Sequence, residues 1–388
     1  MKRFIFWFTI LLILFGITSS CAWADEESNA ASIQDKLDFS EIEEYVNKVD
    51  EEIQEHLPEL SISKFYEKIK KGNYSWNIKD IFKGLIGYLF KEVLANSGLL
   101  AKLLILAVAS AVLSNLQSAF DKGNIAILGH GVIYLVLISI ALSSFSITIN
   151  TAKEAIDIMT GFLYALMPLL LSLLAAMGGV TSAALIHPAM IVMLGFATTM
   201  IKTIVFPLIY FMAVLNMVSH IAPNFKVGRL AGFFKDLSIG FLGIVMTIFV
   251  GFLGMQGLAG SVADGLTIKA AKFATGAFIP VVGKPLADAL DTVIGTSLIL
   301  KNGIGILGVI VIFLLCAIPA LKIIAITLIY RIVAALIQPF GDNQLSEALH
   351  SLANSFLLVF AAVAAVGLMF FFIITVTIGT GNISMMFR

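Results

Sequence analysis

Charged residues are scarce in this chain. Of its 388 residues, 13% are Asp, Glu, Lys or Arg, and 59% are hydrophobic. Soluble domains carry roughly 25% charged residues, so the scarcity excludes an ordinary soluble protein and indicates a chain embedded in lipid. Cysteine is nearly absent as well. Cys21 falls in a segment expected to be removed and Cys316 in an apolar run, so we expect no disulfide.

Motifs of common enzyme classes are also missing. There is no Gly-x4-Gly-Lys-Ser/Thr loop for a nucleotide and no Gly-x-Ser-x-Gly elbow for a nucleophile. The five histidines are far apart in the sequence, and no two of them have the spacing of metal ligands on one helix. They are His56, His130, His187, His220 and His350. The sequence has no strong cluster of basic residues of the kind that indicates nucleic-acid binding. We therefore expect no enzymatic activity, no cofactor, no metal and no nucleic acid.

The N-terminus has the pattern of a secretory signal peptide. Two basic residues precede an apolar run from Phe4 to Ile17, and the small residues Ala22 and Ala24 precede Asp25. A basic start, an apolar centre and small residues at the cleavage site define such a signal. We expect cleavage between Ala24 and Asp25, which removes residues 1–24. An uncleaved first helix is the alternative.

An acidic region follows the signal. Residues 25–80 contain 15 acidic and 7 basic residues, a net charge of −8. The pattern predicts a small helical region over 25–76 outside the cytoplasm, either as a solvated hairpin or as a docking module for a partner. Residues 77–97 alternate apolar and charged faces at helical spacing, which predicts an amphipathic helix at the membrane interface.

Residues 98–388 form the predicted membrane domain. A spanning helix needs roughly 20 apolar residues, and about seven to nine such stretches fit here. They lie at about 98–118, 125–149, 161–179, 183–201, 203–221, 237–259, 303–321, 322–340 and 352–379. The fold class is therefore all-α, a polytopic integral membrane protein.

The loops of this domain differ in charge, and the charge predicts their sides. Loop 222–236 contains Lys226, Arg229 and Lys235, and basic loops face the cytoplasm. Loop 341–350 contains acids without Lys or Arg, which predicts the outer side.

Two stretches of the membrane domain look alike, about 161–260 and 276–380. Lys202 followed by Pro207-Leu208-Ile209-Tyr210 matches Lys322 followed by Thr327-Leu328-Ile329-Tyr330. Repeats of this kind occur in transporters, which place substrate sites between the two copies. Chance similarity between apolar sequences is the alternative.

Three basic residues in or beside predicted spans are candidate site residues, namely Lys202, Lys322 and Arg331. An ionisable residue within a membrane is by default a functional-site hypothesis. The alternative is that long basic side chains extend from helix ends to the membrane surface.

Glycine recurs every third residue at Gly251, Gly254, Gly257 and Gly260. Small residues let helices approach closely in lipid. We expect these glycines to pack against another helix, with a smooth pore wall as the alternative.

Several segments resemble one known family over essentially the full length of the chain. They are Ala183–Pro188, Ala271–Gly283, Asp288–Val293, Leu300–Asn302, Gly305–Gly308, Pro319–Lys322, Gln338-Pro339 and Gly381–Arg388. Together with the signal peptide and acidic region, these segments resemble stage III sporulation protein AE of endospore-forming bacteria.

The resemblance implies a role that composition does not show. Such proteins belong to a secretion-like channel complex in the mother-cell membrane around the forespore. The implied partners are other proteins of that complex, including a secretion-type ATPase and ring-forming membrane proteins, and the lipid bilayer. A self-contained permease and a structural membrane scaffold are the alternatives. The family implies no catalytic residues.

Overall fold

Helices make up the part of the chain that the structure describes. The computed structural model describes residues 78–119, 124–177, 179–221, 227–278, 283–340 and 343–386. These residues contain no strand, which agrees with the predicted all-α class. A short π-helix, Ile201–Val205, joins α4 to α5, and a 3-10 turn, Gln338–Phe340, follows α7. The α-helices are α1 Ile78–Ala95, α2 Ser97–Ala119, α3 Asn124–Ala176, α4 Val180–Met200, α5 Phe206–Ile221, α6 Gly228–Phe278, α7 Gly283–Ile337 and α8 Asn343–Met386.

Five helical segments of this described part are long and apolar enough to cross a membrane. They are Gly131–Ala176, Val180–His220, Gly228–Met255, Lys301–Ile337 and Gln344–Gly379. Helices α1 and α2 provide a sixth crossing if the pair is one span, although the chain bends by 53° between them. The bend lies at Asn96, whose side-chain amide donates to the Glu92 carbonyl oxygen over 2.9 Å.

Three predicted span boundaries fall inside continuous helices. The polar stretch 150–160 belongs to α3, Lys202 lies in the π-helix, and Lys322 lies within α7. The predicted spans at 125–149 and 161–179, at 183–201 and 203–221, and at 303–321 and 322–340 are therefore not separate helices, because one helical segment runs through each pair. The reason is physical. Backbone hydrogen bonds continue along a helix whatever charge a side chain carries, so an isolated charge does not end it.

The described residues beside the two loops predicted on opposite sides of the membrane lie at the same end of the bundle. The Gln344 side-chain amide donates to the carbonyl oxygen of His220, which joins the start of α8 to the end of α5. The prediction that loops 222–236 and 341–350 face opposite sides is thus wrong. The prediction had two spans, 303–321 and 322–340, where the structure has the single helix α7. The extra crossing placed the second loop on the opposite side of the membrane from the first.

The apolar segments are longer than a bilayer is thick. Gly131–Ala176 has 46 residues, which is roughly 69 Å of helix, whereas the hydrocarbon core measures roughly 30 Å. These helices therefore either extend beyond the hydrocarbon or cross it at a steep tilt.

Helix α8 lies at the centre of the bundle and packs against α3, α5, α6 and α7. An aromatic cluster joins α3, α5, α7 and α8. Phe145 of α3 and Phe356 of α8 have ring centroids 5.1 Å apart, Tyr210 of α5 lies 5.9 Å from Phe145, and Tyr330 of α7 lies 5.1 Å from Phe356. Tyr210 and Tyr330 occupy matching positions in the two similar stretches. The repeat itself stays a prediction.

Helices α7 and α8 form an antiparallel hairpin, and glycines on both helices leave room for side chains of the helices that face them. A Cβ atom at Gly308 would lie 2.5 Å from Leu166 of α3. One at Gly367 would lie 2.5 Å from the Cys316 sulfur, across the α7–α8 contact. A side chain at either position would overlap these neighbouring side chains, so glycine is required for the packing seen here.

The glycines singled out from the sequence are placed differently. Gly251 and Gly254 on α6 are exposed, and a Cβ added to either would meet no atom within 4 Å. Neither packs against another helix within the described residues, so the predicted packing is not seen there. The surroundings of Gly257 and Gly260 lie outside the described residues.

The predicted signal peptide, its cleavage between Ala24 and Asp25, and the acidic region 25–76 also lie outside the described residues. Helix α1 covers residues 78–95 of the segment predicted as an amphipathic helix over 77–97. Its interfacial position stays a prediction.

Candidate functional site

The three basic residues selected from the sequence do not form one site. Lys322 and Arg331 lie nine residues apart on α7, which corresponds to two and a half helical turns and opposite faces. Lys202 is on a different helix, where its ammonium group pairs with the carboxylate of Asp157 on α3. Each residue therefore has its own surroundings.

The Lys202–Asp157 ion pair joins the middle of the apolar segment Val180–His220 to α3. The side chain of Lys202 is 28% exposed and that of Asp157 is 60% exposed. Lys202 stands in the π-helix Ile201–Val205, and such one-turn irregularities are frequent at functional sites. The pair explains how a charge is tolerated midway along an apolar helix.

We expect Lys202→Ala to lower the melting temperature of the detergent-purified protein, because it leaves the Asp157 carboxylate unpaired. Exposed ion pairs contribute about 1 kcal/mol or less in water, so the effect is modest. The double variant Lys202→Ala/Asp157→Ala should recover part of the loss. A double variant less stable than both single variants would contradict the pairing.

Arg331 opens onto a polar cleft of about 490 Å³ at one end of the bundle, between the ends of α5, α7 and the start of α8. Its lining contains two histidines, an arginine and a glutamate in a chain that is otherwise poor in such groups. The lining residues are His220, Arg331, Ala334, Ala335, Gln338, Ser346, Glu347, His350, Ser351 and Asn354.

Hydrogen bonds fix the walls of this cleft. The Arg331 Nη2 atom donates to Asn354 Oδ1 over 3.2 Å, and Ser346 Oγ donates to the Ala334 carbonyl over 2.8 Å. His220 Nδ1 lies 2.6 Å from the Asn216 carbonyl oxygen, so Nδ1 carries the proton of this bond.

Arg331 was predicted from the sequence, but its neighbours were not. His220 and His350 were set aside because they are far apart in sequence, whereas the fold brings them to one cleft. The spacing of residues along the sequence does not show which residues of three different helices line the same cleft. Within the described ranges, no group of three His, Cys, Asp or Glu residues could hold a metal ion.

A second buried charge was missed among the candidates. Lys301 on α7 is fully buried, and its Nζ atom donates to the Ile378 carbonyl oxygen of α8 over 3.0 Å. Ser297 Oγ and Asn302 Oδ1 nearby in sequence are buried without a hydrogen-bond partner. This polar group lies at the end of the α7–α8 hairpin remote from the cleft. Its sequence signal was a lysine followed by asparagine within an apolar stretch.

Comparison with known proteins identifies the family. The family model described as stage III sporulation protein AE matches residues 60–381. The chain belongs to the stage III sporulation protein AE family. A protein named stage III sporulation protein AE from Bacillus subtilis (strain 168) is 41% identical over 362 residues, which cover 93% of this chain and 90% of the relative. No solved structure matches the chain.

Membership confirms the resemblance carried by the sequence segments and supports a role related to sporulation. The long apolar helices support a membrane protein. The cleft and the buried lysine both lie within residues 60–381, inside the region matched by the stage III sporulation protein AE model.

Proposed function

We propose that this protein is a membrane component of a secretion-like channel complex between mother cell and forespore, required for endospore development. The observation that carries the proposal is the family match over residues 60–381, together with a relative named for stage III of sporulation. The five or six apolar segments of the described chain supply the membrane part of such a complex.

The proposed location is the mother-cell membrane surrounding the forespore, with a multi-pass arrangement and the N-terminal region outside the cytoplasm. The proposed partners are a secretion-type ATPase and ring-forming membrane proteins of the same complex. The protein itself performs no enzymatic reaction in this proposal. Its contribution is a bundle of helices that other subunits join.

Deletion of the gene in its own host should arrest sporulation at stage III, and an affinity-tagged copy should restore it. The tagged protein, solubilised from sporulating cells, should co-purify with an ATPase and other membrane proteins of the complex. Cells that express the same tagged protein during growth serve as the control. Normal heat-resistant spores from the deletion strain would overturn the proposal.

A second candidate function is a self-contained permease for a small solute. The observation that favours it is the polar cleft between three apolar helices. Purified protein in liposomes distinguishes the two, because a permease moves its solute without partners. Assembly with partners and no flux in any context would instead favour a structural scaffold.

A further inference from the structure

We propose that the Arg331 cleft binds a phosphate group, supplied either by an anionic lipid headgroup or by free phosphate. The inference begins with charge. Arg331 is half-buried in a segment apolar enough to cross a membrane, Lys301–Ile337. A charged residue in a membrane segment usually pairs with another charge or with backbone carbonyls, yet no carboxylate of the described residues forms an ion pair with Arg331.

The hydrogen-bonding groups of the arginine give the second argument. A guanidinium has five N–H donors, and Nη2 donates to the neutral oxygen of Asn354. The Nε atom is buried without a hydrogen-bond partner. An unsatisfied buried donor costs roughly 1–3 kcal/mol, and the arginine fork matches the oxygens of a phosphate. A phosphate would supply both the missing charge and the missing acceptor.

The position of the cleft suits a phospholipid. Arg331 lies six residues before the end of α7 at Ile337, which is roughly 9 Å along the axis and near the expected level of headgroups. Ile332 and Leu336, beside the cleft on the same helix, are 43% and 49% exposed. They offer an apolar surface for an acyl chain next to the cation. Basic pockets between membrane helices bind anionic headgroups elsewhere.

The other charged groups of the lining affect the strength of binding. Glu347 is exposed and opposes an anion, whereas His220 and His350 add positive charge when protonated. The Arg331 guanidinium is therefore the expected contact, because it is the group among the lining residues that stays cationic at every physiological pH.

The test uses the full-length protein, delipidated in detergent. Binding of phosphatidylglycerol and of zwitterionic phosphatidylcholine is measured by native mass spectrometry and lipid titration. We expect a preference for phosphatidylglycerol that Arg331→Gln weakens about tenfold, or 1.4 kcal/mol. Arg331→Lys should retain part of it, because lysine keeps the charge without the fork. Arg229→Gln, an exposed basic residue on α6, should leave the preference unchanged.

Inorganic phosphate is the second probe and separates the sources. Displacement of phosphatidylglycerol by millimolar phosphate identifies free phosphate as a ligand of the site, and resistance to it identifies the lipid headgroup. Size-exclusion profiles and melting temperatures show that each variant is folded. Equal binding of both lipids without phosphate binding, or equal losses in Arg331→Gln and Arg229→Gln, would overturn the proposal.

Discussion

Gly367→Val should sharply reduce the amount of folded protein in the membrane. A Cβ atom at position 367 would lie 2.5 Å from the sulfur of Cys316 and 3.0 Å from its Cβ. The sulfur can rotate, but the Cβ atom of Cys316 is fixed to the backbone of α7. Overpacking of this kind costs roughly 1–3 kcal/mol, and valine adds two methyl groups to the clash. Protein level and melting temperature in detergent measure the loss.

The matched control is Gly254→Val, on a helix of the same bundle. Gly254 has no atom within 4 Å of an added Cβ, so this variant should accumulate normally. A compensating exchange, Gly367→Ala with Cys316→Gly, should recover much of the stability lost in Gly367→Ala alone. Equal losses in Gly254→Val and Gly367→Val would show that the α7–α8 contact is not what limits the fold.

Glycine spacing in the sequence did not reveal which glycines pack. Gly251 and Gly254 recur at a regular interval, but they lie on the most exposed of the five apolar segments. Gly367 belongs to no such regular series, and its importance comes from Cys316 on the opposite helix. Periodicity shows which residues share a face, whereas packing depends on what covers that face. For Gly251 and Gly254, contact with a helix of another molecule stays a prediction.

The helical class followed from the sequence, but the number of crossings did not. Long apolar runs can only satisfy their backbone groups in lipid as helices, so the class is determined by composition. In the sequence, a charge such as Lys202 looks like the boundary between two spans. Its partner Asp157 lies on another helix. Because the ion pair forms only in the folded bundle, the sequence could not show that the helix continues.

The candidate site was predicted in part for the same reason. Arg331 is conspicuous because it is a charge in an apolar run. Asn354 and His220 are ordinary polar residues at helix positions, and only the fold brings them to the same cleft. A single intramembrane charge thus marks a site in the sequence, while its partners require the structure.

Lys301→Glu should abolish accumulation of the folded protein. Lys301 is fully buried and donates to the Ile378 carbonyl oxygen. A glutamate there would place a carboxylate, which accepts but does not donate, against that carbonyl oxygen. An unpaired buried charge costs several kcal/mol, which is a large part of the stability of most proteins, about 5–15 kcal/mol. Protein level in membranes and the size-exclusion profile would show the loss.

Lys301→Met is the informative partner of that variant. Methionine has a similar length and no charge, and replacing a buried ionic group with an apolar one of similar volume is often neutral or stabilising. We therefore expect Lys301→Met to accumulate at close to the normal level, because the Ile378 carbonyl oxygen still accepts a backbone hydrogen bond within α8. A fold that depends on the ammonium group itself would give the opposite result, with Lys301→Met lost as completely as Lys301→Glu. Because the two variants differ in charge while both remove the donor, their comparison separates the cost of a buried anion from the loss of one hydrogen bond.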